Sequence, residues 1–258
     1  MAPLSVIGSA RTRSADLVAA LLDGAAPHGT PATHKPHGTT PQPPRTPDLP
    51  DDARYAVLAL AGPDTDRQSD LTLRGQLVAT TLELPQPMRL MWYAGCAVVL
   101  LGEASLDDLV RALDPPSGTR VGVSPAVAGP AALGRARALA EQALRAAPDT
   151  PVAVLEERLP AALVAENPTL AALLLARALG PVLELPPVDR DSLLSTLRAW
   201  LESGGSTRRA GDRLFYHPNT VLNRLRRYEH LTGRLLGDPF TVVELTLALE
   251  AHRLTTAE

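Results

Sequence analysis

Apolar residues along the chain recur at three- and four-residue spacings in some stretches and form short unbroken runs in others, patterns that predict helices and strands respectively. Leu17, Val18, Leu21 and Leu22 share one face between Ser14 and Gly24, so a short amphipathic helix is expected over 14–23. The run 55–61 reads as a strand and is followed by a helical pattern over about 66–84. A second apolar stretch, 89–101, holds Ala94 and Gly95 near its middle, which predicts a β-hairpin with a tight reversal. A helix over 105–113, a strand over 120–124, a long helix over 131–146 and a closing strand over 152–155 follow. The order βαββαβ of the first six, with one more helix and strand after them, implies an α/β sandwich over 53–156.

Beyond that point the pattern is helical throughout. Asn167 and Pro168 open a helix that Leu170, Leu173, Leu174 and Leu175 make apolar on most sides, and Gly180 is expected to end it. Such a helix is either wholly buried or lies in an interface. After Pro186 and Pro187 a further helix, 189–202, turns Leu193, Leu194, Leu197 and Leu201 inward, and a new domain is expected to begin near 187. A short helix over 206–214 carries the small residue Ala210, then a turn around Phe215 and Tyr216 leads to His217 at an N-cap position and Pro218 at the first helical one. That second helix ends before Gly233, and Asp238-Pro239 starts a closing helix with Phe240, Val243 and Leu247 expected inward.

Composition sharpens this picture in three places. Eight prolines between Pro27 and Pro50 allow neither a helix nor a core, so 25–52 is read as a flexible insertion between an N-terminal helix (1–24) and the α/β domain. Its His28, His34 and His37 are not read as a metal site. With 45% hydrophobic, 21% charged and only 3% aromatic residues, the cores must be filled by Leu, Val and Ala, which suits helices better than an aromatic-rich β-sandwich. The single cysteine, Cys96, cannot form an internal disulfide and reads as a small buried hydrophobe. No leader pattern opens the chain, and no apolar run reaches the roughly 18 residues of a span, so a cytoplasmic protein without membrane contact is expected. The expected layout is therefore 1–24, 25–52, 53–156, a helical linker or interface over 157–186, and a final domain over 187–258.

Although the whole chain carries −3, residues 206–234 hold seven arginines against Asp212 and Glu229, a local +5. On the helix after His217, Val221, Leu225 and Tyr228 fall within one arc, and Asn219, Asn223, Arg226 and Arg227 on the opposite one, with Thr220 and Arg224 on a flank. Asn can bond adenine and Arg guanine in paired fashion in the major groove, while Thr and Arg also suit phosphate oxygens. Two helices, a short turn and this chemistry on the outer face predict a helix-turn-helix with Arg208, Arg209, His217, Asn219, Thr220, Asn223, Arg224, Arg226 and Arg227 as its DNA-contacting residues.

The stretch 194–254, above all His217-Pro218-Asn219-Thr220-Val221, Arg224-Leu225, Leu231-Thr232-Gly233 and Asp238-Pro239, resembles the C-terminal helix-turn-helix domain of PucR/CdaR-type bacterial transcription regulators. It is also similar to the DNA-binding end of the factor for inversion stimulation. The resemblance implies an all-α Fis-type reader binding double-stranded DNA as a homodimer, and activation rather than repression. Many members carry Arg where this chain has Pro218, so one base or phosphate contact is expected to be absent.

The upstream strand order, the hairpin, Val121-Gly122-Val123-Ser124 and the helix ending Ala143-Leu144 resemble the degenerate GGDEF-type domain that precedes the reader in that family, giving an α+β fold overall. An active diguanylate cyclase needs a Gly-Gly turn and carboxylates that hold magnesium. Here the corresponding positions are Tyr93, Ala94, Gly95 and Cys96, while Glu103 and Asp107 read as surface charges or caps. No enzymatic activity, cofactor or metal is expected. The longer N-terminal sensor of many relatives is expected to be absent, so an unidentified effector or partner protein would act on the α/β domain. A second reading stays open: a ligand sensor or residual nucleotide-binding protein whose helical tail mainly binds protein.

Overall fold

The computed structural model describes residues 49–62, 74–78, 84, 88–93 and 95–256. The expected helix over 14–23, the histidines of the proline-rich segment and most of the helix expected over 66–84 lie outside these residues; within the last, 74–78 are helical. The described residues form two compact units, one running to Arg145 and taking in Thr150–Glu157, the other made of Ala146–Asp149 and residues from Arg158 onward.

The first unit is a sheet with strands β1 (Arg54–Ala61), β2 (Arg89–Tyr93), β3 (Cys96–Leu100), β4 (Arg120–Val123), β5 (Val127–Ala128) and β6 (Val152–Val154). Its order is β2-β3-β1-β4-β6, with β5 also pairing β1. All pairings are antiparallel except β4 with β6, which the helix α2 (Leu133–Ala146) connects by a crossover. β1 reads as an unbroken apolar run because both of its faces are covered. Ala56 and Leu58 join one core with Val99, Val123 and Leu109 of α1 (Leu106–Ala112), while Tyr55, Val57 and Ala59 join another with Cys96, Leu133, Ala136 and Ala140. The hairpin forms where Ala94 and Gly95 suggest it, with Tyr93 opposite Cys96 and Gly95 at φ +76°. Gly122 permits the close approach of α2: a β-carbon there would stand 2.2 Å from the Ala140 carbonyl oxygen.

The second unit is helical: α3 (Leu159–Ala165), α4 (Pro168–Leu183), α5 (Pro187–Glu202), α6 (Thr207–Leu214), α7 (Pro218–Thr232) and α8 (Pro239–Thr256). Its core gathers Leu193, Leu194 and Leu197 of α5, Ala210 of α6, Val221, Leu225 and Tyr228 of α7, and Leu245, Ala248 and Leu249 of α8. Residues 157–186 hold α3 and α4, and Ala178, Leu179 and Val182 of α4 belong to the same core.

Two expectations need correction. α4 does not stop at Gly180 but runs through Pro181 to Leu183, because a proline in the last turn loses only one backbone bond and Val182 gains burial. α8 is rotated from its expected phase. Phe240 and Val243 are exposed, and Thr241, Leu245, Ala248 and Leu249 face inward. Asp238 sets that phase: its carboxylate accepts from the Phe240 N–H and the Thr241 hydroxyl, tying Thr241 to the buried side.

Candidate nucleic-acid interface

The pair α6 and α7 is shaped by local signals at each end. Ser206 accepts a hydrogen bond from the Arg209 N–H and starts α6, and His217 Nδ1 accepts from the Asn219 N–H at 3.2 Å and starts α7. Pro218 holds the first helical position, where its missing N–H is without cost. Gly233, at φ +66°, ends α7. Between the helices the chain turns sharply: the Tyr216 N–H reaches back to the Gly211 carbonyl oxygen at 2.8 Å. Gly211 is required for this, since a β-carbon there would lie 2.6 Å from the Tyr216 carbonyl oxygen.

Val221, Leu225 and Tyr228 are buried, which turns the other side of α7 outward. Asn219, Asn223, Arg226 and Arg227 are all exposed on it, and Arg208 and Arg209 are exposed on α6. Asn219, Asn223 and Arg226 follow at intervals of four and three, so they form a continuous polar stripe. His217 is exposed while capping, and Thr220 is partly buried.

Two arginines stand apart from the stripe. Arg224 turns back into the fold: its guanidinium lies 4.5 Å from the Tyr216 ring centroid and donates to Thr196 Oγ1 of α5 at 3.1 Å. Thr196 in turn donates to the Ser192 carbonyl oxygen. Arg227 pairs with Asp189 of α5 at 2.7 Å, and both ends of that pair are about half exposed, so solvent weakens it. Arg224, Arg227 and Asp189, together with Ser192 and Leu193, line a small polar cleft between α5 and α7.

Gly211, Phe215 and Tyr216 contribute to the turn in ways the sequence reading did not assign. The signal for Gly211 was its position just before the predicted turn. Phe215 has the one positive φ among the described non-glycine residues, +57°, and is 95% exposed.

In the sheet unit, Tyr93 ends β2, Gly95 lies in the turn, and Cys96 is buried in β3. Glu103 and Asp107 are exposed, and Asp107 sits in the first turn of α1, capped by Ser105. Among the described residues no group of three or more His, Cys, Asp or Glu is placed to hold a metal ion, and no single helix is long and apolar enough to cross a membrane.

Comparison with known proteins agrees with this division. Residues 193–251 match the PucR C-terminal helix-turn-helix domain, and residues 46–146 match the GGDEF-like domain. The purine catabolism regulatory protein of Bacillus subtilis is 44% identical over 66 residues, which cover 26% of this chain and 12% of that protein. An uncharacterised protein of Mycobacterium tuberculosis is 38% identical over 63 residues, 24% of this chain and 15% of that protein. The match thus spans less than a fifth of the length of either relative. The crystal structure of a regulator of polyketide synthase expression from Bifidobacterium adolescentis is 23% identical, over 79% of this chain and 86% of that one, with a TM-score of 0.32, too low to carry a structural argument. Two matched domains, a GGDEF-like domain followed by a PucR C-terminal helix-turn-helix domain, thus account for more than half of the chain.

Proposed function

We propose that this chain is a transcription regulator that binds double-stranded DNA sequence-specifically, as a homodimer, and activates rather than represses. One observation carries the reading: the exposed stripe Asn219, Asn223 and Arg226 runs along α7 opposite its buried Val221, Leu225 and Tyr228, in a segment of local charge +5. A helix held by its apolar side and presenting outward Asn for base edges and Arg for phosphates is what recognition in the major groove requires. Arg208 and Arg209 on α6, with Arg226 and Arg227, are assigned to the phosphate backbone, and His217 and Thr220 to the entry of α7 into the groove.

The sheet unit is proposed as the non-enzymatic, signal-receiving part, with a small-molecule effector or partner protein as its input. By the resemblance to the GGDEF-type domain, Gly95 and Cys96 take the positions at which a cyclase would need its metal-binding carboxylates. Incubation with GTP and magnesium should yield no cyclic dinucleotide, and its formation by pure protein would overturn this assignment.

The direct test is selection from a random duplex pool with the purified chain, followed by titration of the selected DNA. Affinity should fall steeply between about 50 and 200 mM salt, as counterion release from several phosphates demands. Asn219→Ala and Asn223→Ala should each cost about 1–3 kcal/mol on the selected DNA and little on random DNA. Equal losses on both would place base reading on another face.

A further inference from the structure

Phe215 combines two features that are each unfavourable without a partner. Its backbone is in the left-handed region, which L-residues other than Gly, Asn and Asp rarely occupy. Its ring is 95% exposed, although an aromatic of that size gains most from burial. The conformation is imposed by its surroundings. The Phe215 N–H bonds the Asp212 carbonyl oxygen, the Tyr216 N–H bonds that of Gly211, and His217 caps α7 two residues later. The Tyr216 ring is held beneath Arg224. The turn is fixed on both sides, and its first side chain is held out into solvent at the N-terminal end of α7, the end that enters the major groove in a helix-turn-helix.

We infer that Phe215 is a specificity-determining residue whose ring contacts the 5-methyl group of a thymine at the edge of the bound site. The inference rests on the DNA-binding reading above. The surroundings fit duplex DNA: exposed Arg208, Arg209 and Arg226 supply positive charge, and Asn219 and Asn223 supply hydrogen bonds. None of these polar side chains reads a methyl group. In the major groove the thymine methyl is the single apolar marker on the base pairs, and a phenylalanine is among the side chains suited to it.

The test uses the full chain and the duplex it selects, with each thymine replaced singly by uracil, which lacks only the methyl. The wild-type chain should lose about fourfold in affinity at one thymine per half-site, the equivalent of one buried methyl group. Phe215→Gly should bind thymine DNA about tenfold more weakly and should no longer distinguish thymine from uracil at that position, whereas Asn219→Ala should still do so. Glycine suits the positive φ, so Phe215→Gly should unfold at the same temperature as the wild type or higher, which separates contact from folding; Phe215→Asn, also at ease in this conformation, provides a second variant. An unchanged thymine-to-uracil ratio in Phe215→Gly, with tight binding retained, overturns the inference and leaves the DNA-binding reading standing, as would result if the ring served a protein partner. Failure of the wild-type chain to select any duplex overturns both.

Discussion

At Gly211 there is no room for a β-carbon, because the Tyr216 carbonyl oxygen would lie 2.6 Å from it and both atoms belong to fixed backbone. Gly211→Ala should therefore push α6 away from the start of α7, at a cost of about 1–3 kcal/mol by the usual scale of overpacking. Thermal unfolding should register the loss, and DNA binding should fall with it. Arg224 and Arg226, only two residues apart, should behave differently. Arg226 is exposed, so Arg226→Ala should weaken binding to selected and random DNA alike, flatten the salt slope by about one, and leave stability unchanged. Arg224 braces α7 against Thr196 and Tyr216, so Arg224→Ala should lower the unfolding temperature as well as affinity. A stable Arg224→Ala protein with only a shallower salt slope would return Arg224 to the phosphate backbone. The outer stripe was legible in the sequence because helical spacing alone sorts Asn219, Asn223 and Arg226 away from Val221, Leu225 and Tyr228. The turning inward of Arg224 was not, because Thr196 lies 28 residues away and no local pattern announces that contact.

Among the elements, helices with a strongly charged side could be oriented from sequence, and α8 could not. Val242, Val243, Leu245, Leu247 and Leu249 make it apolar on nearly every side, so several phases satisfy periodicity equally and the Asp238 cap decides between them. The C-terminal part of α8 is also where the helical unit carries a pH-dependent contact. Arg198 of α5 donates to His252 Nδ1 at 3.2 Å, which places the imidazole proton on Nε2 and keeps the ring neutral. Burial, and then the Arg198 and Arg190 charges, hold its pKa below the ordinary 6.5, with Asp191 opposing. The unfolded chain then binds the proton more readily than the folded one. The contribution of this contact is complete above pH 6.5 and is lost as the pH falls through that value towards the lower folded pKa. Unfolding temperatures between about pH 8 and 5 should therefore decline more steeply for the wild type than for His252→Gln. Parallel curves would remove His252 as a source of acid sensitivity.

For the molecule as a whole, the sheet unit was readable except for the two-residue β5, because its other strands are short, mainly apolar runs, and because a two-residue reversal between Tyr93 and Cys96 can only make a hairpin. Sequence did not show how the leucines of α4 divide between core and surface. The C-terminal half of that helix is buried through Ala178, Leu179 and Val182, while Leu170 and Leu173 in its N-terminal half, with Leu159 and Leu163 on α3, are exposed. An apolar surface of this kind is the best candidate within the helical unit for contact with a second copy. One recognition helix spans only a few base pairs, and useful specificity calls for two of them about one DNA turn, roughly 34 Å, apart. Because both leucines are exposed, the double substitution Leu170→Glu and Leu173→Glu should leave the fold intact, as circular dichroism and thermal unfolding can verify. It should convert the proposed dimer to a monomer in sedimentation and lower affinity for a two-half-site duplex far more than for a single half-site. Leu174, which is partly buried, offers a contrast: Leu174→Glu should destabilise the protein itself. If the double variant sediments as a dimer with unaltered binding, the two copies meet elsewhere.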